Sequence, residues 1–347
     1  MLPRPRSAVL LALIGFGCLP LVSCGGCGPQ QGGLQGRIEI DGSSTVEPIS
    51  SVAEEMFGQE NPSVRMTVAI SGTGGGFKRF TLGETDISDA SRPIKQEEFK
   101  QCMEKGVEFV ELPVAYDGLS IVVHPSNKFV ESLTVADLQK IFLEDGGAQT
   151  WKDVNDQWPD MPLKIYAPGT DSGTFDYFKE VVTADVTEER ANIRGDMTIN
   201  EDDNVLVNGV AGNEGAIGFF GAAYYFANTE RLRAVPIVNP DGKPVLPSAE
   251  TVESGEYAPL SRPLFIYINL ASLQRPEVQQ FVDFYLKHAA DFATKVNYVP
   301  LPESLYAEAR DRFENRRVGT HFLKPDGTKR SGALAEVYVR ENLNAGE

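Results

Sequence analysis

Apolar residues recur along this chain with two periods, and the periods change places at short runs of serine, threonine and glycine. Ile38 and Ile40 alternate with polar neighbours as in a half-buried strand, and Ile49, Val52, Ala53, Met56 and Phe57 then recur at helical spacing. Between them stands the turn Asp41-Gly42-Ser43-Ser44-Thr45. The succession repeats: Val64, Met66, Val68 and Ile70 alternate, Ser71-Gly72-Thr73-Gly74-Gly75-Gly76 follows, and a helix is predicted from Phe77. Residues 86–91 read as a short strand or turn, with Arg92-Pro93 ahead of a helix carrying Phe99, Cys102 and Met103. In the middle of the chain Leu163, Ile165 and Ala167 alternate, Pro168-Gly169 breaks the strand, and Phe175, Phe178 and Val182 resume at helical spacing. The turn there is Thr170-Asp171-Ser172-Gly173-Thr174.

Four hydroxyl-rich turns therefore precede four helices. The first amides of a helix have no partner inside it, and the positive end of its dipole faces outward, so such turns are suited to holding an anion. One alone would be read as a helix cap, because serine and threonine are preferred caps. The repetition favours an anion site.

Two extended regions divide these units. Residues 107–117 with the apolar run 119–123 form a first crossing, and residues 262–269 form the return crossing. An α/β chain with two crossings has a first lobe built from both ends and a second from the middle, with ligands held between them by loops at the carboxyl ends of strands. Residues 37–116 and 265–347 are assigned to the first lobe and 117–264 to the second. Helices are expected over 134–142 and 276–289, Trp151 and Trp158 are expected to pack, and the sequence from Glu303 reads as polar helix and tail without a functional signal.

Charge narrows the function. The chain of 347 residues carries a formal charge of −17, which argues against nucleic acid as partner. An anion site in so acidic a protein has to be made locally, from aimed dipoles and one or two cations. Residues 1–23, with Arg4, Arg6 and an apolar run, read as an export signal, and 24–36 as a flexible glycine-rich tether. Loss of that leader would take the charge to about −19, since Arg4 and Arg6 are its charged residues. Leu21-Val22-Ser23-Cys24 resembles a bacterial lipobox, which implies lipid on Cys24 and a membrane-tethered protein in the periplasm or on the cell surface. With Cys18 in the leader and Cys24 lipidated, Cys27 and Cys102 remain, in unlike contexts, and His124, His288 and His321 are scattered. No structural disulfide, metal site or cofactor is expected.

The segments DGSSTVEPIS, ISGTGGGFKRF, DISDASRPI and APGTDSGTFDYF, in this order behind the lipobox, resemble the PstS family of phosphate-binding lipoproteins of the ATP-driven uptake system; VNGVAGNEGAIGFFG is similar too. The resemblance spans roughly residues 37–297. It implies a two-lobed periplasmic-binding-protein fold of type II, inorganic phosphate held in the cleft, and delivery to the membrane permease of an ABC transporter. Carried over, it places Thr45, the Val46 amide, Thr73, Ser172, the Gly173 amide and Thr174 around the ligand, with Ser44, Gly74, Ser91, Arg92 and Asp171 as further candidates beside them. The family pattern has aspartate where Ser91 stands and arginine where Pro168 stands. Arg92 is the expected replacement cation, and Asp171 or Asp89 the expected acceptor of the phosphate proton. Other readings are a binder of sulfate or arsenate, and a free-standing exported sensor or adhesion module. Asp171-Ser172-Gly173-Thr174 also matches an aspartic-protease signature, but that chemistry needs a second copy, and none is present.

Overall fold

The computed structural model describes residues 33–170, 172–187, 190–200 and 202–346. The leader, Cys24, Cys27 and Asp171 lie outside the described residues. The strands are β1 (Gly36–Gly42), β2 (Val64–Ile70), β3 (Ile87–Ala90), β4 (Phe109–Val123), β5 (Lys164–Pro168), β6 (Thr198–Asn200), β7 (Ala216–Gly221), β8 (Arg233–Ala234), β9 (Ile237–Val238), β10 (Pro244–Val245) and β11 (Ser261–Asn269). Along the main sheet they run β2-β1-β3-β11-β4-β7-β5-β6, with β8 beside β4 and a separate β9–β10 pair.

Fifteen-residue β4 carries the architecture, and all of it is buried. Its residues up to Gly118 pair antiparallel with β11, and from Leu119 they pair with β7. One strand thus passes from the sheet of the first lobe into the sheet of the second. A strand covered on both faces is an unbroken apolar run apart from Glu111, Asp117 and Ser120, as burial on two sides requires. In the first lobe β2, β1 and β3 are parallel; in the second, β7, β5 and β6 are parallel. Each parallel strand hands over to a helix: Glu47–Glu60 after β1, Gly72–Phe80 after β2, Gln96–Lys105 after β3, Gly173–Thr183 after β5, Asp203–Ala211 after β6 and Ala222–Phe226 after β7. The helix expected over 276–289 runs Pro276–Lys295 and packs on Glu47–Glu60, with Phe57 and Phe281 ring centroids 5.3 Å apart. Leu34–Glu347 form one compact unit.

Two findings differ from the sequence reading. The second helix starts at Gly72 rather than Phe77, because a glycine run has no apolar period to reveal that it is helical. The stretch after Glu303 is also more than a polar tail. Following the helix Glu303–Glu314, Gly319 donates its N–H to the Phe109 carbonyl at 2.9 Å, and Phe322, Leu323, Leu334, Val337 and Tyr338 are buried. It is fastened to β4 by Glu111, which accepts hydrogen bonds from Thr320 Oγ1 (2.6 Å), the His321 N–H (2.9 Å) and Tyr267 Oη (2.8 Å). Burial raises the Glu111 pKa, but His321, Arg312 and Thr320 together outweigh it and hold it below the ordinary carboxylate value.

Trp151 is buried edge-on to Phe129 and Trp158, with Nε1 donating to the Gly215 carbonyl at 3.1 Å. Cys102 is a buried free thiol in the core-facing side of its helix.

Candidate anion-binding cleft

The register of the parallel strands sets the first half of the site. Gly42 pairs with Ile70 of β2 and with Asp89 of β3, so the carboxyl ends of all three strands stand level. Their exits are the turn 43–46, Ser71 with Thr73, and Ser91. Over the end of β1, Thr73 Oγ1 comes within 2.9 Å of Ser91 Oγ and accepts the Ser91 N–H at 3.2 Å. Gly76 allows this approach: a Cβ there would stand 2.6 Å from the Gly42 Cα. In the first turn, the Val46 N–H is used by the Ser43 carbonyl (3.1 Å) and the Thr45 N–H by Ser43 Oγ (3.2 Å). Gly74, in the first turn of the second helix, lines a groove with Lys78, Glu98, Gln101 and Lys105.

The second half comes from β5. Pro168 ends that strand, Ser172 adopts extended geometry as N-cap, and its Oγ accepts the Thr174 N–H at 3.2 Å. Capping and an outward-facing helix N-terminus coexist here. The two halves meet at Gly173, where a Cβ would lie 2.7 Å from the Thr45 Cα. Thr45 Oγ1 donates to the Gly173 carbonyl (3.4 Å), and Ser44 Oγ donates to Asp176 Oδ2 (2.9 Å). A cavity of about 260 Å³ opens beside this contact, lined by Ser44, Glu47, Ser172, Gly173, Thr174 and Tyr298 among others.

Charge at this meeting point comes from a residue the sequence did not single out. Arg262, at the start of β11, donates from Nη2 to Thr45 Oγ1 (3.1 Å) and from Nη1 to Glu180 Oε2 (2.7 Å). Its Nε lies 3.5 Å from Asp117 Oδ2, and its guanidinium stacks 3.6 Å from the Tyr177 ring centroid. Asp117 is its cross-strand partner on β4. Burial pushes the Asp117 carboxyl up to about 6, with the Arg262 charge opposing the rise. Arg92, the cation expected from the sequence, gives Nη1 and Nη2 to Glu98 at 2.9 and 2.7 Å and lies 5.4 Å from the Phe77 ring. Its charge is matched by Glu98, as that of Arg262 is by Asp117 and Glu180; what sets Arg262 apart is its bond to Thr45, where the two turns meet. The only signal that could have drawn attention to Arg262 is its place as a cation opening the apolar return crossing.

Asp89 sits in the first lobe's interior, fully buried, accepting from Ser50 Oγ at 3.0 Å. Burial, reinforced by Glu47 and Asp41 and only partly offset by Ser50, pushes it up to about 8. It holds a proton at neutral pH. A folded-state value above the unfolded one, near 4, means that stability falls as pH rises through the window from about 4 to 8. Asp89→Asn should flatten that fall, and its melting temperature relative to the parent should rise between pH 6 and pH 9; a constant difference across that range would contradict a proton on Asp89.

Residues 28–288 match the PBP superfamily domain. The phosphate-binding protein PstS of Staphylococcus saprophyticus is 40% identical over 310 residues, which cover 89% of this chain and 94% of that one. This chain belongs to the PstS family. Another relative, the protein SphX of Synechococcus elongatus, is 48% identical over 309 residues, 88% of this chain and 89% of its own. Among solved structures, that of a possible phosphate binding protein from Planctomyces limnophilus matches with a TM-score of 0.78 at 44% identity, covering 81% of this chain and 99% of that one. The two-lobed type II fold of PstS proteins is the one described above, with the strand-end turns of both lobes facing each other.

Proposed function

We propose that this protein binds inorganic phosphate between its lobes and delivers it to the membrane permease of an ABC transporter, tethered to the membrane through lipid on Cys24. The reading is supported by one observation above all: Arg262 is held at the junction where the Thr45 turn of one lobe meets the Ser172–Thr174 turn of the other. To a dianion there we assign the Arg262 guanidinium, the Thr45, Ser172 and Thr174 hydroxyls and the open end of the helix Gly173–Thr183, with Thr73 and Ser91 at the neighbouring strand ends as further donors. Charge-assisted hydrogen bonds of this kind contribute roughly 1.5–3 kcal/mol each, so a handful suffices for tight binding. Arg262 takes the place that Arg92 holds in the sequence reading.

Relatives in this family carry the name of phosphate binders, which favours phosphate over other tetrahedral oxyanions. Selectivity against sulfate requires an acceptor for the phosphate proton. Asp117, beside Arg262 and raised to about 6, is the carboxyl we assign to it. Calorimetric titration of ligand-stripped protein should show phosphate bound at pH 8 with sulfate far weaker, and a narrower preference at pH 5.5, where a carboxyl near 6 is largely protonated and can donate to sulfate. Equal affinities at pH 8 would remove the acceptor and leave a general oxyanion binder; no phosphate binding would refute the reading.

A further inference from the structure

The helix Gly173–Thr183 presents a polar stripe at Gly173, Asp176, Tyr177 and Glu180, spaced i, i+3, i+4 and i+7 on one face. Every member of the stripe is engaged by the first lobe or by the crossing strand. Gly173 meets Thr45, Asp176 accepts the Ser44 hydroxyl, and Tyr177 and Glu180 hold the Arg262 guanidinium. The Tyr177 hydroxyl also donates to the Pro259 carbonyl at 2.8 Å, just ahead of β11. An acidic residue in a first helical turn is ordinarily explained by the helix dipole alone. Here the Asp176 carboxylate instead reaches across 132 residues of sequence to a specific hydroxyl.

We propose that this face is an interlobe clasp, in which Asp176 is a positioning residue that holds the lobes together through Ser44 without touching the anion. The proposal rests on the cleft being the anion site, as argued above. A carboxylate standing beside an anion site is electrostatically unfavourable for the anion. Its removal therefore has opposite consequences under the two explanations. As a dipole partner only, Asp176 repels the ligand, and its loss tightens binding. As a clasp, its loss lets the lobes part and the ligand leave.

The test uses the full mature chain with inorganic phosphate as probe, comparing parent, Asp176→Ala and Asp176→Asn. Asp176→Ala should release phosphate roughly tenfold faster, the loss of one hydrogen bond to a charged group, with association within about twofold of parent. Asp176→Asn keeps an acceptor oxygen for Ser44 and should release phosphate close to the parental rate. Scattering without ligand supplies the independent arm: Asp176→Ala should have a larger radius than parent, and Asp176→Asn should not. A larger radius in Asp176→Ala when the parent binds no phosphate would uphold the clasp and overturn the phosphate reading. Unchanged or slower release together with an unchanged radius would overturn the clasp.

Discussion

Arg262→Gln should lower phosphate affinity by a hundredfold or more, the largest loss expected from any single side chain in the cleft. The substitution removes a fixed charge and two directed donors, and at roughly 1.5–3 kcal/mol per charge-assisted bond even two lost bonds reach that factor. Folding should suffer less than the pairing with buried Asp117 suggests. That carboxyl already stands at about 6, so losing its counter-charge lets it take up a proton rather than remain an unpaired buried ion. Arg262→Lys should fall between the two, because an ammonium keeps the charge but cannot serve Thr45, Glu180 and the anion with one planar fork. Isothermal titration, with melting temperatures alongside, separates lost binding from lost structure. Parental affinity in Arg262→Gln would return the role of fixed cation to Arg92 or leave it to helix dipoles.

Gly173→Ala is the second large effect, and it works by shape rather than charge. Its Cβ would stand 2.7 Å from the Thr45 Cα and 3.1 Å from the Thr45 backbone nitrogen, both backbone atoms that cannot swing aside. Alanine is otherwise favoured at a first helical position, so the helix itself should be as stable or more so. The lobes, however, could not approach as they do here. Affinity should drop at least tenfold, and the scattering radius at saturating phosphate should stay above that of the parent under the same conditions. A variant that closes and binds normally would show that contact between the Thr45 and Gly173 turns is not needed for capture.

Much of this arrangement is legible from the chain because local rules and tertiary structure agree at the turns. The spacing around Ser172 contains both a strand end and a helix start, and the N-cap geometry found there is what the residue types favour. At Ser71–Gly76 the same reasoning fails, since a run of glycines says where backbone can approach closely but not whether it is helical. Arg262 is illegible for a different reason. Its role depends on the β4–β11 register that sets it opposite Asp117, and on a helix 82 residues earlier that brings up Glu180. Glu111 is a similar case: its partners Thr320 and His321 are 209 and 210 residues away, so a polar C-terminal stretch conceals a buried anchor. Asp176 looks like an ordinary acidic first-turn residue until Ser44 is beside it.

Whether an anion is held where the two turns meet under Arg262 can be seen outright in a crystal structure of the chain with phosphate. Phosphate should lie in contact with the Arg262 guanidinium and with hydroxyls from both lobes, among them Thr45 and at least one of Ser172 and Thr174. Phosphate bound elsewhere, or bound in the cleft with Arg262 turned away to Glu180 and Asp117 alone, would contradict it.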